Sequence, residues 1–361
     1  MKVFRYILFP IAIIYGGITL FRNFLYNKNI FKSSEFDRPI ICIGNLSMGG
    51  TGKTPHTEYL ARLLKDQYNL AILSRGYGRK TADYIEADEN STAIHIGDEP
   101  AQYHRKFPNI KVVVEKKRVK GVLNLLYDNS SVEVILLDDA FQHRSLRAGL
   151  NILITDINKP FYNDLMLPIG ELREFRKGKN RADIIIVSKC PHDLSLERKN
   201  EIIKGISPTK NQKIFFSFIR YGRIYNPFTN KELIEEISNF ETLVLTGIAN
   251  PKPLYEELNR KEVTYSKKAY RDHYPFSEKD VATVSEIFGT FDSSKKIILT
   301  TEKDASRLLE IKGFEQLPIY CIEIEIDIFD GKDKFDNEIL KYVRENKGDS
   351  KLPQGTNELP T

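Results

Sequence analysis

Residues 39–54 read PIICIGNLSMGGTGKT, and the reading of this stretch decides the fold. The apolar run Ile40–Ile43 has the pattern of a short buried strand. Gly49, Gly50 and Gly52 follow, then Lys53 and Thr54 at the mouth of an amphipathic segment carrying Tyr59, Leu60, Leu63 and Leu64. Strand, glycine-rich turn and helix in that order make a phosphate-binding loop. Glycines let successive backbone N–H groups converge on an anion, and the positive end of the following helix favours the same charge. In this layout Ser47, Met48, Gly49, Gly50, Thr51 and Gly52 wrap the phosphates. Lys53 reaches the β- and γ-phosphates, and the Thr54 hydroxyl ligates Mg²⁺. Ser47 stands where the strict pattern has glycine, and Pro55 is tolerated because the first helical turn has N–H groups to spare.

Working outward, other apolar runs end in residues that carry chemistry. Val132–Leu137 closes with Asp138 and Asp139, and a carboxylate at such a strand end lies beside the phosphate loop, where it holds the Mg²⁺ shell. Gln142, His143 and Arg144 follow, all able to bind phosphate or sugar. Leu70–Leu73 leads into Ser74, Arg75, Gly76, Tyr77 and Gly78. Strand ends in parallel α/β sheets face the ligand crevice, so Ser74, Arg75 and Tyr77 are substrate-binding candidates; the two glycines equally suit a tight turn. Ile94–Ile96 has the pattern of a strand running into Gly97-Asp98-Glu99-Pro100, where Asp98 serves equally well as a catalytic carboxylate or a helix cap. Val112–Val114 is a further strand, with Arg118 on or near the helix after it. Asn151–Thr155 and Ala182–Ser188 add two more, separated by a basic, glycine-broken loop in which Arg173 is a candidate phosphate clamp.

The result is an α/β protein: a P-loop NTPase-type, mostly parallel sheet with helices on both faces, an N-terminal membrane-anchoring helix and a second, smaller α/β domain. The expected layout is an anchor over 1–34, a P-loop domain over 35–210, the smaller domain over 211–345 and a loose tail over 346–361. The boundary near 210 follows from the polar, proline-punctuated stretch 190–212. Beyond it come strand patterns at Ile214–Ile219, Leu243–Thr246, Val263–Tyr265, Ile297–Thr300 and Ile319–Ile326.

The formal charge of +5 is not spread along the chain. Lys2, Arg5, Arg22, Lys28 and Lys32 have no acidic neighbour before Glu35, and the remainder is balanced. That distribution argues against broad nucleic-acid binding and for contact with an anionic membrane surface. The uncharged run Tyr6–Phe21 would be about 24 Å long as a helix, short of a full span. Aromatic and basic residues where a cleavage site would lie weaken a signal-peptide reading. A buried core helix and an interfacial or partly inserted anchor remain, and the anchor is preferred for its Phe, Tyr and Arg edges. Cys42, Cys190 and Cys321 are too dispersed for a metal site and suggest a reducing cytosol.

Two switch classes fit poorly. Partitioning-type ATPases need a second lysine where this chain has Met48, and guanine specificity needs an Asn-Lys-x-Asp order that is absent. Taken together, Gly44–Pro55, Ser74-Arg75-Gly76-Tyr77-Gly78, Gly97-Asp98-Glu99-Pro100, Asp138-Asp139-Ala140-Phe141-Gln142-His143, Leu167-Pro168 with Leu172-Arg173-Glu174, and Thr301-Glu302-Lys303-Asp304 resemble the tetraacyldisaccharide 4′-kinase family of lipid A synthesis. The resemblance implies transfer of the ATP γ-phosphate to the 4′-hydroxyl of a tetraacylated glucosamine disaccharide 1-phosphate. It places the protein on the cytoplasmic face of the inner membrane, with ATP and Mg²⁺ as cofactors and the lipid A disaccharide precursor and the lipid surface as partners. It also implies that Asp98 acts as base, paired with His273 of the smaller domain, so that the domains would have to close to join them. Lys53, Asp138 and Asp139 complete the catalytic set, and Arg118 and Arg173 are candidates for a phosphate. The alternative is a membrane-associated P-loop ATPase that recruits a protein partner. Ala140 stands where the family has glycine.

Overall fold

The structure, a computed structural model, describes residues 8–347. Lys2, Arg5, the first residues of the apolar run and the tail beyond Lys347 lie outside the described residues. Among the described residues twelve strands form one sheet: β1 Ile40–Gly44, β2 Leu70–Ser74, β3 Ile85–Glu86, β4 Lys111–Val114, β5 Val134–Asp138, β6 Leu150–Asp156, β7 Ile184–Ser188, β8 Lys213–Tyr225, β9 Glu241–Thr246, β10 Tyr265–Ala269, β11 Lys296–Thr301 and β12 Ile319–Ile328. Their order is β10-β9-β11-β12-β8-β7-β6-β1-β5-β2-β4-β3. All pairings are parallel except β3 with β4 and β8 with β12.

Continuous apolar runs such as Ile40–Ile43 and Ile184–Val187 arise because a parallel sheet covered on both faces has no solvent side to pattern for. Successive residues feed opposite cores. Ile41 and Ile43 pack with Leu60 and Leu64 of the helix α2 (Lys53–Leu64), while Ile40 and Cys42 pack with Leu46 and Phe141. Before β1 lies α1 (Phe9–Asn27), and α3 (Asp98–Lys106) and α4 (Arg118–Asp128) flank β4 in sequence.

The long strand β8 joins the two halves of the sheet. Its first residues, Lys213–Phe216, pair in parallel with β7; Ser217–Tyr225 then pair antiparallel with β12. The halves therefore share one sheet. The last helix returns across it: Phe335, Ile339 and Val343 of Lys332–Glu345 pack in the same cluster as Ile41 and Tyr59.

Two local expectations change. Ile94–Ile96, expected as a strand, lies in one helical turn, Ala93–Ile96, because Gly97 at φ 97° breaks it from α3 rather than ending a ladder. Three apolar residues are too few to separate the two periods. Residues 190–212, read as a polar connection, contain the helix Leu196–Ile206, which buries only Ile202 and Ile206 and so has little apolar signature. All three cysteines are buried.

Candidate active site

The phosphate loop enters α2 through Gly52, whose φ of 92° is left-handed, a conformation a side chain would resist. Its curve is pinned from inside. Asn45 Nδ2 donates to Thr51 Oγ1 at 2.9 Å, and Ser188 Oγ donates to the Thr51 carbonyl at 2.7 Å. His56 Nδ1 lies 2.6 Å from the Gly52 carbonyl and Nε2 2.9 Å from Ser217 Oγ on β8. Burial pushes the His56 ring down to about 4, so it is a neutral link. The outer side is held by residues 171–173: Met48 N donates to Glu171 O at 2.7 Å, Arg173 N to Leu46 O at 2.8 Å, and Ser47 bridges Leu172.

Two carboxylates face this loop from the end of β5, and their environments differ. Asp139 lies 3.7 Å from Lys53 Nζ and accepts from Arg173 Nη1 at 3.0 and 3.1 Å. Burial raises its pKa, but Lys53 and Arg173 outweigh that and hold it below the usual carboxylate value. Asp138 is buried, and its Oδ1 has no partner. Its Oδ2 has only Ser74 Oγ at 3.3 Å, and burial, with Asp139 and Glu99, pushes it up to about 7. A buried oxygen with no donor, beside a second carboxylate, supplies the hard oxygen donors that a divalent cation such as Mg²⁺ takes. Beneath them Arg118 is wholly buried, donating to Glu115 O at 2.5 Å and to Asp138 O at 3.1 Å. It braces the strand end. The left-handed residue there is Asp139, φ 49°, so Ala140 in place of glycine meets no backbone strain.

The second part of the site comes from both halves. Asp98 opens α3 but does not cap it; its Oδ2 lies 2.9 Å from His273 Nδ1 and 3.6 Å from Arg307 Nε. An ionised carboxylate only accepts, so Nδ1 carries the proton, and Nε2 then accepts from Lys303 Nζ at 3.1 Å. Burial alone would raise the Asp98 pKa; the His273 hydrogen bond and the charges of Arg307 and Lys303 outweigh it and hold the group ionised. His273, at φ 53°, is set by its own N–H to Gly247 O at 3.1 Å. Asp304 fixes that turn by accepting from Gly247 N at 3.0 Å and from Arg307 Nη2 at 2.6 Å. The Asp98–His273 pair, expected to need domain closure, is already joined.

Other predicted residues scatter around these two centres. Tyr77 is exposed and tilts against the His273 ring at 5.5 Å between centroids, and Arg75 is exposed beside it. A Cβ on Gly97 would come within 2.8 Å of Tyr77 O, so this glycine lets the two loops touch. His143 is half-buried and pushed down to about 4 by burial and by Arg118 and Arg75. The Gln142 amide is used internally, donating to Asn45 O at 2.7 Å and Glu174 Oε1 at 3.1 Å. Sequence reasoning missed Arg307 and the clasp around Lys106, whose Nζ lies 3.0 Å from Glu58, Glu302 and Glu323. Glu302, Lys303 and Asp304 lay in a quoted motif, but nothing in spacing marked Glu58 or Arg307.

A doubly covered parallel sheet, a glycine loop with Lys53, paired carboxylates at the end of β5 and an Asp–His pair at the start of α3 define a P-loop phosphotransferase. The family described as tetraacyldisaccharide-1-P 4′-kinase matches residues 4–344. Proteins named tetraacyldisaccharide 4′-kinase from Bacteroides thetaiotaomicron and Flavobacterium johnsoniae are 43% and 45% identical, over 97% and 96% of this chain and 96% and 99% of theirs. The structure of LpxK from Aquifex aeolicus, in complex with ATP, superposes with a TM-score of 0.75 at 28% identity, covering 94% of this chain and 99% of that one. The chain belongs to the tetraacyldisaccharide-1-P 4′-kinase family. It is a kinase of lipid A synthesis that transfers phosphate from ATP to the 4′-hydroxyl, and the partner-recruiting ATPase is not favoured.

Proposed function

We propose that Asp98 takes the proton from the 4′-hydroxyl of the disaccharide as that oxygen attacks the γ-phosphorus of ATP. The observation that carries this reading is the chain Asp98–His273–Lys303, which leaves Asp98 ionised and oriented. His273 and Lys303 are positioning residues: the imidazole steers the carboxylate, and the ammonium fixes the tautomer. Lys53, the loop amides and Arg173 neutralise phosphate charge, which is most of what phosphoryl transfer asks of a protein. In that state Lys53 and Arg173 exchange their present partner, Asp139, for phosphate oxygens. Thr54, Asp138 and Asp139 would hold Mg²⁺, which when bound shares the charge of the phosphate oxygens. The acceptor and phosphate ends are close enough to feel each other, since Glu99, next to Asp98, raises the Asp138 pKa. Ser74, Arg75, Tyr77 and His143 line the approach for the sugar and its phosphate.

The N-terminal helix supports a membrane site for this reaction. Ala12 and Gly16 are buried and Tyr15, Thr19, Arg22, Asn23 and Tyr26 are half-buried, whereas Phe9, Ile13, Ile14, Ile18 and Phe21 are exposed. A helix that turns its small and polar stripe inward and its apolar face outward is the reverse of a water-exposed helix, and it fits lipid. The helix is long and apolar enough to cross a membrane, and with only Ala12 and Gly16 buried its exposure argues against a core helix. The bilayer face this implies is the cytoplasmic one, where ATP is available. Mass spectrometry of a tetraacyldisaccharide 1-phosphate incubated with protein, Mg²⁺ and ATP tests the reading. A gain of one phosphate, abolished in Lys53→Ala, is expected; ATP loss without lipid phosphorylation would defeat it.

A further inference from the structure

The inward stripe of α1 does more than seat the helix. Tyr15 Oη donates to the backbone carbonyl of Arg173 at 2.9 Å, and Asn23 Nδ2 donates to Glu174 Oε2 at 3.0 Å. Arg22 donates to Gln142 O at 3.0 Å, and Arg144 returns a bond to Asn23 O at 2.8 Å. Gly16 lets the Phe175 ring approach, since a Cβ there would lie 3.0 Å from its Cζ.

Three of these contacts fall on residues tied to the phosphate site: Arg173, Glu174 and Gln142. Arg173 grips Asp139 through its guanidinium and the phosphate loop through its N–H to Leu46 O. Glu174 is buried and gathers Asn23, Gln142 and both terminal nitrogens of Arg181, and Gln142 in turn holds Asn45 O at the base of the loop. From Tyr15 two hydrogen bonds reach Leu46 through Arg173, and from Asn23 three reach Asn45 through Glu174 and Gln142. We propose that α1 is a positioning element of the phosphate site, acting through Tyr15 and Asn23, so that lodging the helix in a bilayer and binding ATP are thermodynamically coupled.

This rests on the membrane reading of α1 but asks something separate of it. Coupling is reciprocal: if vesicles favour the seating of α1 that best holds residues 171–174, they must tighten ATP binding by the same factor that ATP tightens vesicle binding. Breaking the polar links should remove that factor while leaving the exposed apolar face, and hence membrane attachment, intact.

The experiment uses the full chain with Tyr15→Phe, Asn23→Ala and the double variant, and vesicles of phosphatidylethanolamine and phosphatidylglycerol. ATP affinity is measured with and without vesicles, and kcat and KM for the lipid in mixed micelles. Expected is a wild-type ATP affinity that tightens severalfold with vesicles, and a double variant in which it does not. Each single variant should lose about five- to tenfold in kcat, the scale of one buried hydrogen bond, with lipid KM and vesicle sedimentation within about twofold of wild type. Asn23→Asp, which sets a carboxylate against Glu174, should lose more than Asn23→Ala; this keeps a second readout if Tyr15→Phe folds poorly. Unchanged kcat, a rise in lipid KM alone, or vesicle-insensitive ATP affinity in wild type would overturn the coupling. Wild-type protein that does not sediment with vesicles would instead overturn the membrane reading.

Discussion

The two ends of the site are built in opposite ways. The phosphate end comes from one half of the sheet and from contiguous motifs: the loop, Lys53 and the Asp138–Asp139 pair at the end of a neighbouring strand. The acceptor end joins Asp98 to a histidine 175 residues away, in a turn fixed by Asp304, Arg307 and Gly247. Their carboxylates differ accordingly. Asp138 sits with an unpartnered oxygen and a raised pKa, whereas Asp98 is held ionised by the His273 hydrogen bond and by Arg307 and Lys303; on the proposed reading the first awaits a cation and the second a proton. The same side chain is set in two protonation states by what surrounds it.

Variants can break this contrast one end at a time. Asp98→Ala should have the largest effect, lowering kcat by about 10²–10⁴ with ATP affinity near normal, as read by phosphate transfer and equilibrium nucleotide binding. A fall in ATP affinity of the same size would mean that the two ends are not separate. His273→Ala should cost about 10–100-fold in kcat, since the carboxylate stays but loses its orientation. Lys303→Met should cost only a few-fold, because its contacts are the His273 imidazole and Glu99; a loss equal to that of Asp98→Ala would make Lys303 a catalytic residue.

The smallest effect is read on stability. His56 has a folded pKa of about 4 against an ordinary 6.5, so the unfolded chain takes the proton first. Its contribution is fully present above pH 6.5 and is lost as pH falls toward 4, by an upper estimate of about 3 kcal/mol. Urea unfolding of wild type and His56→Gln between these pH values should show a shallower acid loss in the variant. Parallel curves would place the acid sensitivity elsewhere.

What the sequence made legible follows the same divide. The phosphate end was readable because backbone geometry demands glycines, a lysine and strand-end carboxylates at fixed short spacings. Asp98 was visible in place but ambiguous in role, since an Asp at a helix start reads as a cap; in the structure it caps nothing and pairs with His273. His273 itself carried no local signal and entered through the family resemblance. Arg307 and Glu58 were hidden for a different reason: charged residues on helices read as solvated surface, and both are buried where they meet α3, Glu58 through Lys106 and Arg307 through Asp98. The one continuous sheet was equally hidden, because β8 pairs with β7 through its first residues and with β12 through the rest, a change of partner no periodicity records.

The most direct test of the account is the pH dependence of kcat/KM for wild type and His273→Ala on the same lipid. Because the His273 hydrogen bond helps hold the Asp98 pKa down, its removal lets that pKa rise. With Asp98 as base, activity is lost as pH falls through its pKa, so the acid limb of the variant should move to higher pH as its maximum drops. The titrations of substrate and Asp138 are common to both proteins and leave the difference intact. A lowered maximum with an unmoved acid limb would contradict Asp98 as the base that His273 tunes.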